Sequence, residues 1–96
     1  MIKKIIGHCG VDSGQLIIVD PYYLREWRAG AYGAGDGNHY EEACQVTVRE
    51  DLGGELLVAG IGGTGVAVST GYGDGTYPVE ALYENDRVRE VRIKFF

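Results

Sequence analysis

The side chains of this sequence best suited to holding a ligand are tyrosines, arginines and aspartates in or beside glycine-rich segments. Tyrosine and arginine stack on planar groups, arginine attracts anions, and glycine turns leave backbone N–H groups accessible. Together they indicate a site for a small polar or nucleotide-like ligand. The simpler alternative, that the tyrosine rings only cover glycines in neighbouring strands, stays open. The predicted ligand-binding residues are Tyr22, Arg25, Tyr32, Asp36, Tyr72, Asp74 and Tyr77.

A catalytic interpretation has less support. Asp12, Asp20 and Asp74 could hold a divalent ion in a small hydrolase if the fold brought their carboxylates together. His8 and Cys9 are adjacent in a predicted strand and so point to opposite faces, which does not suit a zinc site. No nucleophile motif accompanies the serines and histidines. We therefore predict no catalytic residues, no metal site and no cofactor, and favour a binding protein over an enzyme.

Two glycine motifs limit the chemistry of the loops. Residues 60–65, "GIGGTG", have the spacing of a dinucleotide-binding loop, but that function needs a helix after the loop. Here "VAVST" follows, which is typical of a strand, so we predict a hairpin. In "STGYGDGTYPV" (69–79), the pair Asp74-Gly75 is typical of a two-residue type I′ turn, with the preceding glycines as bulge positions.

Composition bounds the class of protein. The 96 residues suffice for a single domain, 1–96, and 16 glycines with only two prolines indicate many tight turns. A net charge of −5 argues against binding to a nucleic acid polymer, because phosphate backbones attract cationic proteins. We expect no membrane association, since no apolar run is long enough to span a bilayer. Two cysteines form no disulfide framework, which predicts a cytoplasmic protein with reduced thiols.

The pattern of elements predicts a mainly β (α+β) fold. About seven short, mostly antiparallel strands would form a rolled sheet or small barrel with one helix near 21–29. Asp20 is the predicted N-cap of that helix, Pro21 its first residue and Gly30 its stop. We predict strands at 3–9, 15–20, 42–50, 55–61, 65–70, 76–84 and 88–96.

Finer expectations follow from the same patterns. The first two strands would form a hairpin, and the apolar run 16–19 in the second predicts burial on both faces. Val66 and Val68 are predicted to face inward, as is Val91 in the last strand. Pro78 cannot donate a ladder hydrogen bond, so it indicates an edge or bulge.

Several segments together resemble a known family. "VDSG" (11–14), "VDP" (19–21), "STGYGDGTYPV" (69–79) and the terminal "VRIKFF" resemble small bacterial and phage proteins of unknown function, and are similar to the DUF4241-like domain of unknown function. The resemblance spans nearly the whole chain and implies a common fold, without an activity to carry over. Tyr22 stands where many relatives are expected to have cysteine, which argues against shared thiol chemistry.

Two functional hypotheses remain beside the hydrolase. The first is a non-catalytic ligand-binding protein, in one concrete version a phage-type protein that sequesters a nucleotide-derived signalling molecule. The second is a structural or protein-interaction module that assembles through an exposed edge strand such as 76–84 or 88–96. A homo-oligomer is compatible with either.

Overall fold

Both ends of the chain belong to the same sheet. The computed structural model describes residues 1–96 and divides into two compact units, one formed by Met1–Gly14 with Gly71–Phe96 and the other by Gln15–Thr70. Each unit contains one three-stranded antiparallel sheet. The strands are β1 (Ile2–Val11), β2 (Gln15–Val19), β3 (Gly53–Leu56), β4 (Gly65–Ser69), β5 (Gly75–Glu84) and β6 (Arg87–Ile93). The helical elements are a 3₁₀ helix (Pro21–Glu26), the α-helix α1 (His39–Val46) and a 3₁₀ turn (Val58–Gly60).

The mainly β, antiparallel class is confirmed, but its arrangement differs from the prediction. There are six strands in two sheets, and neither sheet closes into a barrel, in place of about seven strands in one rolled sheet. The predicted hairpin between the first two strands does not form, because β1 and β2 belong to different sheets. Nor do β4 and β5 pair. Gly71 and Gly73 have positive φ (78° and 76°) while Asp74 does not, so Asp74-Gly75 cannot make a type I′ turn.

The sheet of the first unit has the order β1-β5-β6. Asn85 and Asp86, both with positive φ (54° and 60°), turn the chain from β5 into β6, and this is the backbone that a type I′ hairpin requires. Since β5 is the middle strand, the predicted assembly edge 76–84 is wrong. Only its first residues, up to Pro78, pair with β1 alone, which agrees with the expectation for that proline. Val91 is 56% exposed and does not face inward.

The sheet of the second unit has the order β2-β4-β3 and packs one face on α1. Ile17 lies opposite Ala67, which is fully buried, whereas the neighbouring cross-strand pair Ile18 and Val66 is exposed to 64% and 41%. The strand β2 is therefore buried on one face only, and Val66 faces outward, contrary to the prediction. The core of this unit consists of Ala43, Val46, Leu56, Val58 and Ala67, with Ile17, Tyr23 and Trp27 packed against it.

The predicted strand 42–50 is instead the helix α1 and the turn that follows it. Asn38 is its N-cap, and its side chain accepts a hydrogen bond from the Glu41 backbone N–H. His39, Ala43 and Val46 are the buried residues, at the i, i+4 and i+7 spacing of one helical face. Of the alternating residues that indicated a strand, Cys44, Val46 and Val48, only Val46 is buried, and Val48 is 81% exposed.

The predicted helix 21–29 is a shorter 3₁₀ helix. Asp20 caps it as expected, since its carboxylate accepts a hydrogen bond from the Tyr22 N–H at 2.9 Å. Trp27 already has extended backbone angles (φ −69°, ψ 118°), so the helix ends before Gly30. Gly30 instead permits a close approach: a Cβ at this position would clash with Cγ of Asn38, so only glycine lets the chain come so near that amide.

The glycine motif at 60–65 lies in the connection from β3 to β4, which pair antiparallel, so the hairpin prediction is confirmed and no helix follows. Thr64 holds this connection together: its buried hydroxyl accepts a hydrogen bond from the Val58 N–H at 2.8 Å and lies 3.0 Å from the Leu56 carbonyl oxygen. None of the helices has the length and apolar character needed to cross a membrane.

Candidate functional site

The predicted ligand-binding residues are divided between the two units. Tyr72, Asp74 and Tyr77 belong to the first unit, and Tyr22, Arg25, Tyr32 and Asp36 belong to the second.

In the first unit, the two tyrosines pack on aromatic rings from the end of the chain. Tyr77 is 9% exposed, donates its hydroxyl to the Gly73 carbonyl oxygen at 3.2 Å and contacts Phe95 edge to face at 5.3 Å. Its ring also covers Gly75, since a Cβ there would meet Tyr77 at 3.5 Å. Tyr72 is 65% exposed and its ring lies 4.9 Å from that of Phe96. The contacts of Tyr77 are those that the simpler alternative, rings covering glycines, would give.

In the second unit, Tyr22 and Arg25 are partners of each other on the first 3₁₀ helix. The Arg25 guanidinium lies 5.3 Å from the centre of the Tyr22 ring, and Tyr22 meets Tyr23 edge to face at 5.6 Å. Tyr22 is 64% exposed and Tyr32 69% exposed. These side chains are accessible to a ligand, but they line neither of the two concave surfaces described below.

Asp36 belongs to a polar network in the loop that precedes α1. Its carboxylate accepts hydrogen bonds from the Asn38 side-chain amide at 2.7 Å and from the Asn38 backbone N–H at 3.1 Å. These two bonds, the side-chain one foremost, lower the pKa of Asp36 below its ordinary value of 3.8. Arg28 donates to the Asp36 carbonyl oxygen at 2.6 Å. The loop is thus held by its own side chains.

The same network fixes the first turn of α1. Asn38 is 1% exposed, and its amide donates to the Ala31 carbonyl oxygen at 3.0 Å while its oxygen accepts from the Glu41 N–H at 2.8 Å. The Glu41 carboxylate reaches back over the loop and accepts from the N–H groups of Gly33 at 3.2 Å and Gly35 at 3.3 Å. A glycine-rich loop is therefore tied to the helix that follows it at several points.

His39, the first residue of α1, is 7% exposed and fixed on two sides. Its Nδ1 accepts a hydrogen bond from the Arg28 N–H at 2.6 Å, and its own N–H donates to the Arg28 carbonyl oxygen at 2.9 Å. Its ring packs on Trp27 at a centre-to-centre distance of 5.2 Å. Because Nδ1 is an acceptor, the neutral imidazole carries its proton on Nε2, which can donate a hydrogen bond and cannot accept one.

Beside these residues lies an open groove of about 420 Å³, which we call the α1 groove. Two carboxylates, those of Glu41 and Glu42, give it acidic character, and the Glu42 carboxylate is held by the Leu57 N–H at 2.7 Å. A second concavity of about 350 Å³ shares Gly37, His39 and Leu57 with it. The α1 groove is lined by Gly35, Gly37, Asn38, His39, Glu41, Glu42, Gln45 and Leu57.

Asp36, which holds the loop beside the groove, was predicted from the sequence, but none of the residues that line the α1 groove was. The missed residues share one cause, the assignment of 42–50 to a strand. A signal was present, because Asn38 is followed three residues later by Glu41, the spacing of a capping box at a helix start. The period-two alternation of the following residues outweighed it.

A second polar cluster lies on α1 around Cys44, which is a free thiol. Gln15 donates to its sulfur at 3.3 Å, and Thr47 donates to Gln15 at 3.2 Å. The hydrogen bond with Cys44 raises the pKa of Tyr40 above its ordinary value. These contacts join the start of β2 to α1 and leave the thiol among polar partners.

The carboxylates of the hydrolase hypothesis do not form a metal site. The Asp20 carboxylate caps a helix, and no group of three or more histidine, cysteine, aspartate or glutamate side chains could hold a metal ion. No protein-family model, curated protein or solved structure matches the chain. The resemblance to small bacterial and phage proteins therefore stays a prediction, and function has to be argued from the site.

Proposed function

We propose that this protein is a non-catalytic binder of a small polar ligand, and that the ligand occupies the α1 groove. The observation that carries the proposal is a concave surface of ligand size whose polar groups are held in place before any ligand arrives. Glu41 and Glu42 are fixed by backbone donors, and Asn38 and His39 are buried. Binding groups that are already ordered lose little conformational entropy on binding, which favours affinity.

The charges of the groove indicate the class of ligand. Each carboxylate oxygen can accept more than one hydrogen bond, so Glu41 and Glu42 retain acceptor capacity for a bound molecule. His39 offers a donor, and Leu57 supplies an apolar wall. A ligand with amino or amidinium donors complements this lining, whereas a phosphate would meet two like charges.

The role of His39 favours binding over catalysis. A general base needs a free nitrogen lone pair, and the Nδ1 lone pair of His39 is taken by the Arg28 N–H.

The nucleotide-derived ligand inferred from the tyrosines and Arg25 fits the α1 groove only through the amino groups of its base. In the phage-type sequestering version of the proposal, the base would occupy the groove and the phosphates would lie outside it.

Binding can be measured by the fluorescence of the single tryptophan, Trp27, which packs on His39. The probes are putrescine, agmatine, adenosine and adenosine 5′-monophosphate, each tested also by calorimetry. We expect saturable binding of at least one of the first three, and weaker binding of the monophosphate than of adenosine. Absence of binding by all four at millimolar concentration would overturn the proposal.

A matched pair of variants locates the site. Glu42→Gln keeps an oxygen to accept from the Leu57 N–H but removes the charge, and should weaken binding of a cationic probe by about 10–100-fold. Glu50→Gln makes the same change at an exposed residue outside the groove and should leave affinity unchanged. If the two variants bind equally well, the ligand does not occupy the α1 groove. If the monophosphate binds best, the charge argument fails and the Tyr22 and Arg25 surface becomes the site.

A further inference from the structure

The outer edge of the first unit's sheet is the exposed strand β6. It pairs with β5 on one side only, and its residues from Arg87 to Arg92 are all exposed. An edge strand carries a row of backbone N–H and C=O groups ready to pair with another strand. We propose that two copies of this chain associate by antiparallel pairing of β6 with β6 about a two-fold axis, which joins two three-stranded sheets into one of six strands.

The side chains of β6 divide into two faces with different chemistry. Val91 lies opposite Ala81 on β5, and Val88 lies opposite Tyr83, so one face is apolar. Both valines are more than half exposed, at 56% and 55%. Exposed β-branched residues on a strand edge gain from burial against a second strand.

The opposite face of β6 carries charge. Glu90 lies opposite Leu82 and Arg92 opposite Glu80, and the two β6 side chains are 3.4 Å apart at their nearest charged atoms. Arg89 is neutralised by an ion pair with Glu84. Arg87 and Lys94 lie at the two ends of the strand, so the charges beside its central Val91 are one acid and one base, two residues apart.

This spacing selects one register for pairing. Residues directly opposite each other in an antiparallel pair lie on the same face of the sheet. A two-fold axis perpendicular to the sheet meets this condition only if it passes between two copies of the same residue. With the axis at Val91, each Glu90 lies opposite the partner's Arg92, and the two Val91 side chains meet. With the axis at Glu90 or at Arg92, like charges lie directly opposite each other, which is destabilising. Charge complementarity thus specifies a second copy of this chain, centred on Val91.

The centre of a two-fold interface is the one position where a residue meets its own copy, and this gives a sharp test. Val91→Glu and Val91→Lys each place like charges opposite one another, so either variant should raise the dimer dissociation constant at least tenfold. An equimolar mixture of the two places Glu opposite Lys and should form a dimer again. Sedimentation velocity over about 10–500 µM measures each case.

Val88→Glu is the matched control. Val88 has the same face and nearly the same exposure, but it lies three residues from the proposed axis and so does not meet its own copy. The glutamate should therefore preserve the dimer. Glu90→Arg places a second guanidinium opposite the partner's Arg92. It should abolish the dimer, and it serves as a second variant if a Val91 variant fails to fold.

Each other result overturns the proposal. If the wild-type protein stays monomeric at 500 µM, β6 does not pair with a second copy, and its charges instead keep other strands away. A dimer that survives both Val91→Glu and Glu90→Arg uses another surface. Equal loss in Val88→Glu and Val91→Glu shows a non-specific apolar contact without the proposed register.

Discussion

Truncation of Asn38 to alanine should be among the most destabilising single changes in the second unit. Asn38 is 1% exposed and makes three side-chain hydrogen bonds, to the Ala31 carbonyl oxygen, the Asp36 carboxylate and the Glu41 N–H. Loss of a helix N-cap costs about 1 kcal/mol. The two bonds of the amide group contribute about 0.5–1.5 kcal/mol each. The free energy of unfolding should therefore fall by about 2–4 kcal/mol, a large share for a chain of this size.

Urea denaturation followed by Trp27 fluorescence measures this loss, because Trp27 packs on the core of the same unit. With a slope of about 1–2 kcal/mol/M, the midpoint should fall by more than about 1 M. Tyr32→Ala, in the same loop but 69% exposed, is the control and should change the free energy by no more than about 0.5 kcal/mol. A loss below about 1 kcal/mol for Asn38→Ala would show that the loop network does not stabilise the fold.

Three further changes test other parts of the structure. Gly30→Ala forces a Cβ into the Asn38 side chain and should destabilise by about 1–3 kcal/mol in the same urea assay; an unchanged midpoint would contradict this close approach. Lys3→Met removes the ion pair between Lys3 and Glu80, whose charged atoms lie 3.4 Å apart. The Glu80 side chain is only 13% exposed, and one of its oxygens is buried without a hydrogen bond. Thermal circular dichroism should therefore show a fall of about 1–2 kcal/mol in the free energy of unfolding, which adding Glu80→Gln should restore. The lowered pKa of Asp36 means that its carboxylate contributes fully to stability above pH 3.8, and that this contribution is lost as the pH falls through the lower pKa of the folded state. Asp36→Asn should lack this acid-dependent part of the stability. Identical acid titrations of the variant and the wild type would refute the assignment.

Local patterns predicted several elements well because the relevant interactions lie close in sequence. Asp20 and Pro21 mark the start of a helix in the sequence and in the structure. Residues 65–69 form the strand predicted from their β-branched residues, and the motif at 60–65 is a hairpin connection rather than a dinucleotide-binding loop. In each case, the residues that determine the local structure lie within a few positions of one another in the sequence.

The pairing of strands could not be predicted in the same way. Turn residues between 11 and 15 and between 69 and 75 predict hairpins if each strand pairs with its neighbour in sequence. Instead β1 pairs with β5, about seventy residues away, because both ends of the chain form one sheet. The choice of sheet depends on which faces can be buried together, and that information is not contained in any single segment.

The error that hid the α1 groove has a different cause, competition between two local signals. Residues 44–49 alternate apolar and polar side chains as a strand does, while Asn38 and Glu41 are spaced as a helix start requires. The helix prevails because it buries Ala43 and Val46 against the sheet and satisfies the polar groups of the glycine-rich loop as well. The glycines leave 31–37 with few side chains to pack, so the loop depends on polar anchors, and the capping residues provide them. The residues that begin the helix are consequently the ones that shape the groove, and a substitution such as Asn38→Ala is expected to reduce stability and ligand affinity together, whereas Glu42→Gln should reduce affinity alone.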